Sequence, residues 1–305
     1  MKLAHKKIEV RKSVTNWRSQ GLKIALVPTM GALHEGHLSL IRQAREHADH
    51  VVVSVFVNPV QFGPGEDFDR YPRTLAADVE QCRKEGVSLV FAPDSNEMYG
   101  AGDDRVEPYI SIGIAQMNRH LCGATRKGHF EGVLLVVNKL FNIVRPNVAV
   151  FGQKDIQQWF VIRQMAEEFD HGIEILMGPT LRENDGLAMS SRNRYLTPEE
   201  RMKASGLFQA LQRISKKVTA AIRDAESGRR RVPVDSSMLQ AEAEALRENG
   251  FDVDYLSLVS TPDLQPAAVI EVGRLYVIAV AARLGNTRLI DNILLNTRKT
   301  ADHDA

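Results

Sequence analysis

The sequence predicts an α/β protein, a doubly wound parallel sheet followed by a smaller C-terminal α+β domain, and three observations carry that prediction. Short apolar, β-branched runs alternate with helical periodicity over residues 1–185. Several of these runs are apolar from end to end, as strands buried on both faces of a parallel sheet are. Beyond residue 185 the alternation stops, and long helical stretches are followed by strand-like runs.

Lys23 to Val27 is the first clear strand, which Pro28 is expected to stop. Leu38, Ile41, Ala44 and Ala48 recur at spacings of three and four and mark the inner face of a helix reaching about residue 48. Val51 to Val57 reads as the next strand, residues 73–85 as a helix and Ser88 to Ala92 as a further strand. A helix over 131–144, a strand from Val148 to Phe151, a helix over 156–169 and a strand from Ile173 to Leu176 complete the series. Sheets of this grammar bind ligands beyond the carboxyl ends of their strands, at the point where strand order reverses.

In the second domain, Thr197-Pro198-Glu199-Glu200 combines a cap residue, a proline at the first helical position and a glutamate placed to close a capping box. One long helix is expected from there to about residue 224. A polar break over 226–233 precedes a helix that begins near Val234 and ends at Asn249-Gly250. Strand-like runs follow at Val253 to Val259, Leu275 to Ala282 and Arg288 to Ile290. The expected domains are therefore 1–185 and 186–295, with a polar tail over 296–305 that should fray.

A chain of 305 residues with 44% apolar content can bury the cores of two such domains. Its 39 basic and 38 acidic residues leave a formal charge of +1, so no general field draws it to nucleic acid or to an acidic membrane. The Arg229 to Arg231 cluster reads as a solvated loop. Neither a signal-peptide stretch nor a membrane-spanning run is present. Cys82 and Cys122 fit no paired-ligand spacing, which points to a reducing, cytoplasmic setting.

The most informative stretch is Pro28-Thr29-Met30-Gly31-Ala32-Leu33-His34-Glu35-Gly36-His37, which lies where the first strand gives way to a helix. A helix opening near Gly36 should offer unpaired N–H groups and a positive dipole end to an anion such as phosphate. His34 and His37, three residues apart, share one side of the opening turn and can each donate to a phosphoryl oxygen. Gly31 and Gly36 permit unusual backbone angles and close approach.

Other polar segments follow strands at the same expected sheet edge. Asn58 and Gln61 in Asn58-Pro59-Val60-Gln61 carry amides that can read hydroxyls and carboxylates. Gly152-Gln153-Lys154-Asp155 supplies a mobile cation suited to phosphate, and an aspartate placed either to cap the next helix or to help hold a divalent cation. Met189-Ser190-Ser191-Arg192 sets two hydroxyls beside a guanidinium that can grip a triphosphate. Thr125-Arg126-Lys127-Gly128-His129 is a basic, glycine-containing loop. No Walker loop, Gly-x-Gly-x-x-Gly or Gly-x-Ser-x-Gly pattern occurs.

In this order, and together with Tyr71-Pro72-Arg73-Thr74, Gln157-Gln158 and Thr287-Arg288-Leu289-Ile290-Asp291-Asn292, the motifs resemble those of the pantothenate synthetases, the AMP-forming pantoate–β-alanine ligases. The resemblance spans nearly the whole chain. It implies a Rossmann-like domain of nucleotidyltransferase type, with the smaller domain as a lid, and an activity that adenylates pantoate before β-alanine displaces AMP. It places Met30, Gly31, Ala32, Leu33, His34, Glu35, Gly36 and His37 at ATP, with Gly152, Gln153, Lys154, Asp155, Leu181, Met189, Ser190, Ser191 and Arg192. His37 is implied as proton donor, and His34, Lys154 and Arg192 join it around the triphosphate, with Mg²⁺ bridging phosphate oxygens and Asp155 its one candidate protein ligand.

The same resemblance assigns Gln61 and Gln158 to pantoate, brings Asn58 and Arg126 to the pantoate and β-alanine pocket, and implies a homodimer with small-molecule substrates only. Two positions depart from the family pattern. Lys127 stands where a proline is usual, which is expected to loosen the loop presenting Arg126, and Gln153 stands where a glutamate is usual. A plain nucleotide adenylyltransferase, or a synthetase relic with an RNA-binding appendage, are the competing readings. The glutamine pair and the second domain disfavour the first, and the near-neutral charge disfavours the second.

Overall fold

The computed structural model describes residues 1–100, 108, 110–224 and 231–297. Arg229 and Arg230 of the basic cluster, and the tail beyond residue 297, lie outside the described residues. The chain forms two compact units. The first comprises Met1–Ala115, Arg126–Leu181 and Met189–Ser191, and the second comprises Gln116–Thr125, Arg182–Ala188 and Arg192–Ala305.

The elements run β1 (Lys2–Ala4), α1 (Lys7–Ser19), β2 (Ile24–Thr29), α2 (Glu35–His47), β3 (His50–Val55), α3 (Leu75–Lys84), β4 (Leu89–Phe91) and α4 (Ser95–Tyr99). After α5 (Leu121–Thr125), which belongs to the second unit, come α6 (His129–Val144), β5 (Val148–Gly152), α7 (Ile156–Glu168) and β6 (Glu174–Gly178). The six strands form one parallel sheet in the order β1-β4-β3-β2-β5-β6. Successive strands β2, β3 and β4 step one way and β5 and β6 the other, so the order reverses between β2 and β5. That is where a doubly wound sheet opens a crevice for ligand.

Helices cover both faces of this sheet. Ile41 and Ala44 of α2 and Cys82 of α3 pack with Ala25, Val27, Val51, Val53 and Val150, while α6 buries eleven of its residues, Val133, Val137 and Phe141 among them. The fully apolar strands predicted from the sequence are thus buried on both sides. Two features were not anticipated. β1 is a three-residue edge strand paired to β4, too short to show a period. β2 also continues through Pro28 to Thr29 rather than stopping at the proline. The reason is register: β5 pairs with β2 only at Ala25 and Leu26, so Pro28 lies beyond the doubly paired stretch, where its missing N–H is tolerated.

The second unit contains α8 (Pro198–Lys203), α9 (Gly206–Asp224), β7 (Arg231–Pro233), α10 (Ser236–Glu248), β8 (Phe251–Ser260), β9 (Val269–Glu271), β10 (Leu275–Leu284) and β11 (Thr287–Asn296). Strands β11, β10 and β8 form an antiparallel sheet in that order, and β7 pairs with β9. Leu207, Ala210, Leu211, Ile214 and Val218 line the buried face of α9 and pack with Ile278, Val280 and Ala282 of β10. The expected capping box is present: Thr197 Oγ1 accepts from the Glu200 N–H (3.2 Å) and Glu200 Oε2 from the Thr197 N–H (2.9 Å). The single long helix is not. It breaks between α8 and α9 at Ala204 and Ser205, just before Gly206, whose helix preference is about 1 kcal/mol weaker than that of alanine. Asp291 of β11 is buried and takes a bidentate pair from Arg182 (2.6 and 3.0 Å), while Arg288 donates to Asp254 (2.7 Å), which gives the late Thr-Arg-Leu-Ile-Asp motif a structural basis.

Candidate active site

The turn after β2 is built from its own polar groups. Thr29 Oγ1 donates to the Ser54 carbonyl (2.7 Å) and accepts the Gly31 N–H (3.1 Å). Gly31 and Ala32 both take left-handed backbone angles, φ 80° and 50°. What holds them there is Asp78 of α3, 1% exposed, whose carboxylate accepts the N–H groups of Ala32 (3.1 Å) and Leu33 (2.8 Å) and the Thr74 hydroxyl (3.2 Å).

Helix α2 opens at Glu35 with His34 as its cap, one residue ahead of the predicted start. His34 Nδ1 accepts the Gly36 N–H (3.2 Å), and His37 Nδ1 accepts the His34 N–H (3.3 Å). The two rings lie 4.1 Å apart. Gly36 is required here for space rather than for its backbone angles, because a Cβ would sit 2.9 Å from His34 Cε1.

These bonds correct one expectation. The backbone donors of Ala32, Leu33, His34 and Gly36 are taken by protein acceptors, so they are not the anion-binding groups. The ring nitrogens are the candidate donors that remain to be placed. A neutral imidazole whose Nδ1 accepts a hydrogen bond carries its proton on Nε2, so each histidine presents an Nε2–H. Burial pushes the His37 pKa down to about 3, and the neighbouring His34 and Lys154 push the same way. His37 is therefore neutral near pH 7 in the free protein, with its proton on Nε2.

Lys154 lies in a short 3-10 turn, Gln153–Asp155, directly after Gly152 at the end of β5. It is one-fifth exposed and 3.7 Å from the Asp155 carboxylate. Asp155 occupies the cap position of α7 but makes no side-chain capping bond. Gln158 is half-buried on the first turn of α7. Since β5 adjoins β2, the Lys154 turn and the histidine turn flank the point of strand-order reversal.

On the other side of β2, Gln61 ends a 3-10 turn (Pro59–Gln61) after β3, and its Nε2 reaches Met30 Sδ at 3.1 Å. Asn58, 1% exposed, donates to Gln61 Oε1 and to the Gly132 carbonyl (3.1 Å each) and accepts from the Tyr99 hydroxyl (2.6 Å). With both amide hydrogens engaged, Asn58 supports Gln61 rather than facing a ligand. Arg126 is likewise committed: its guanidinium pairs with both oxygens of Glu66 (2.6 Å each) and donates to His129 Nε2 (2.8 Å). Lys127 beside it is exposed.

Leu181 and Met189 are joined through the Met189 N–H and the Leu181 carbonyl (2.9 Å), and Met189 Cβ would lie 3.8 Å from a Cβ on Gly36. Ser190 and Ser191 belong to the first unit, where Ser191 Oγ meets the Tyr71 hydroxyl (3.1 Å), whereas Arg192 belongs to the second. Glu35 is exposed and pairs with Arg42. Among the described residues no cluster of three His, Cys, Asp or Glu side chains could hold a metal ion.

Residues 2–294 match the family model described as pantoate-beta-alanine ligase. The chain belongs to that family. It is 45% identical over 295 residues to a pantothenate synthetase of Alcanivorax borkumensis, covering 97% of this chain and 98% of that one. A second, from Pseudomonas putida, is 48% identical over 295 residues, with 96% and 97% covered. Among solved structures, a pantothenate synthetase of Thermus thermophilus superposes with a TM-score of 0.85 at 39% identity, over 97% of this chain and all of that one. The pantoate-beta-alanine ligase of Francisella tularensis, solved with a β,γ-ATP and β-alanine, superposes with a TM-score of 0.74 at 32% identity, over 96% and 97%.

Asp78, Glu66 and Tyr99 help shape this turn region and were not singled out in the sequence, whereas Tyr71 and Thr74 entered only as part of a motif, with no role attached. Only Asp78 had a usable signal. It falls four residues before Cys82 on the buried stripe of α3, and a carboxylate on a buried helix face needs a partner.

Proposed function

We propose that this chain joins pantoate to β-alanine at the expense of ATP, through a pantoyl adenylate. The observation that carries the reading is the pair of Nε2–H donors on His34 and His37, flanked by Lys154 at the reversal of strand order, with Gln61 linked to the same turn through Met30. Family membership and the nucleotide and β-alanine of the Francisella tularensis complex support the substrates.

A carboxylate is a poor electrophile, so the acid must first be activated. One pantoate carboxylate oxygen attacks the α-phosphorus of ATP, and the bond to the bridging oxygen breaks to release pyrophosphate. The nitrogen of β-alanine then attacks the acyl carbon, AMP departs and the amide remains. Charge spreads over phosphate oxygens in the first step, and positioned donors stabilise it with little reorganisation. His34, His37, Lys154 and the hydroxyls of Ser190 and Ser191 supply those donors, and Arg192 adds a guanidinium. His37 donates as a neutral imidazole. Gln61 and Gln158 hold pantoate. Mg²⁺ would enter with ATP as part of the substrate and would offset the negative charge that spreads in the transfer, and Asp155 is the carboxylate that could help hold it.

The same reading makes the chain a homodimer of the cytoplasm. Both cysteines are free and buried, and no helix among the described residues is long and apolar enough to cross a membrane. The test is pantoate-dependent exchange of labelled pyrophosphate into ATP without β-alanine, followed by AMP release when β-alanine is added. Exchange that needs β-alanine, or that another carboxylate supports in place of pantoate, would sink it.

A further inference from the structure

The basic loop before α6 finds no place in the adenylation chemistry, yet its polar groups form a connected chain. Glu66, about one-fifth exposed, accepts the Gly63 N–H (3.2 Å) and grips Arg126 through Nε and one terminal nitrogen (2.6 Å each). The other terminal nitrogen of Arg126 donates to His129 Nε2 at 2.8 Å. An arginine has no acceptor, so His129 Nε2 must be bare and its ring proton must sit on Nδ1. From there it donates to the Gln61 carbonyl at 2.9 Å.

Gln61 is held from its other side as well. Asn58 fixes its Oε1, and α6 presses on the same turn: a Cβ on Gly132 would lie 2.5 Å from the Val60 carbonyl oxygen and 2.8 Å from Gln61 Cα. With one amide hydrogen directed at Met30 Sδ and one lone pair taken by Asn58, the Gln61 amide keeps one N–H and one lone pair for a ligand.

We propose that Glu66, Arg126 and His129 are a positioning relay that sets the aim of Gln61, and through it the affinity for the hydroxy-acid substrate. Arg126 thereby acts at one remove, through a histidine tautomer, rather than by touching substrate. The proposal rests on the functional reading above, in which Gln61 holds pantoate. A guanidinium is needed because its planar fork satisfies two acceptors on Glu66 while a third N–H points at His129; an ammonium cannot span both.

The test compares wild type with Glu66→Gln and Arg126→Lys in pyrophosphate exchange, titrating pantoate at saturating ATP and then the reverse. Both variants should raise KM for pantoate about tenfold and leave KM for ATP within about twofold. Equal changes in both constants, or no change for pantoate, would overturn the relay. Long-range proton–nitrogen spectra of the free protein read the His129 ring without any substrate. Wild type should show a protonated Nδ1 and a bare Nε2, and Arg126→Lys should shift proton density to Nε2. A protonated Nε2 in wild type would overturn the relay on its own. Absence of pantoate-supported exchange in wild type would instead overturn the functional reading, with the ring spectra still deciding the relay.

Discussion

Replacing Asp78 by asparagine isolates what holds the nucleotide turn in shape. The change is nearly isosteric, so packing is preserved while one acceptor becomes a donor. Asp78 Oδ1 accepts from Leu33 at 2.8 Å, and Oδ2 accepts from Ala32 at 3.1 Å and from Thr74 at 3.2 Å. An asparagine can keep only one of these two sides. On the other side its NH₂ faces a backbone N–H, which loses a bond to a charged acceptor worth about 1.5–3 kcal/mol and leaves a buried donor unpaired at about 1–3 kcal/mol more. A local loss of about 3–5 kcal/mol follows, roughly two to four powers of ten in an opening equilibrium. Amide hydrogen exchange measures that opening directly. The Ala32 and Leu33 amides should exchange about a hundredfold faster or more in Asp78→Asn, while amides in the β8–β10–β11 sheet keep their wild-type rates. Because the turn carries His34 and His37, KM for ATP should rise together with the exchange rate. Unchanged protection at both amides would refute the claim that Asp78 holds the turn, whatever the kinetics show.

Three further outcomes are expected. Gly36→Ala places a methyl 2.9 Å from the His34 ring and should raise KM for ATP, with the melting temperature lowered only slightly; an unaltered KM would mean that His34 has room to move. His37→Ala removes one Nε2–H donor and should cost about a thousandfold in pyrophosphate exchange, with the circular dichroism spectrum unchanged; near-wild-type exchange would remove His37 from the chemistry. Burial, reinforced by Arg126, pushes the His129 pKa down to about 4 from 6.5, so as pH falls through that window the unfolded chain takes up a proton that the folded chain refuses. The resulting loss, about 3 kcal/mol, is complete near pH 4 and absent above pH 6.5. Urea unfolding at both pH values should show it in wild type and not in His129→Asn.

Much of the architecture can be read from the chain because parallel strands buried on both faces have little freedom in composition. Val51, Val52 and Val53 are all buried, and so are Val148, Ala149 and Val150, hence the continuous apolar runs. What escaped was whatever depends on a neighbour distant in sequence. β1 is a strand only because β4 offers an edge, and Pro28 stays within β2 only because β5 has already parted from it. The break before α9 is local, but it lies inside an otherwise consistent helical pattern, and Gly206 was its only warning.

The same division runs through the site. Motif spacing brings His34, Gly36 and His37 together because they share one helical turn, and a sequence reports that well. It cannot report which hydrogen atoms are already committed. The turn looked like an anion nest of open backbone N–H groups, but Asp78, 45 and 46 residues away, takes two of them, and the histidine rings take two more. That commitment changes the chemistry. A nest binds any small anion by main-chain geometry, whereas two Nε2–H groups fixed by their own Nδ1 bonds, on rings 4.1 Å apart, define two donor positions and so a narrower choice of phosphate geometry. Discrimination at this turn should therefore depend on ring placement, which Gly36 and Asp78 set, more than on the charge of the loop. On the proposed reading, long-range partners make a common strand-to-helix turn a selective one.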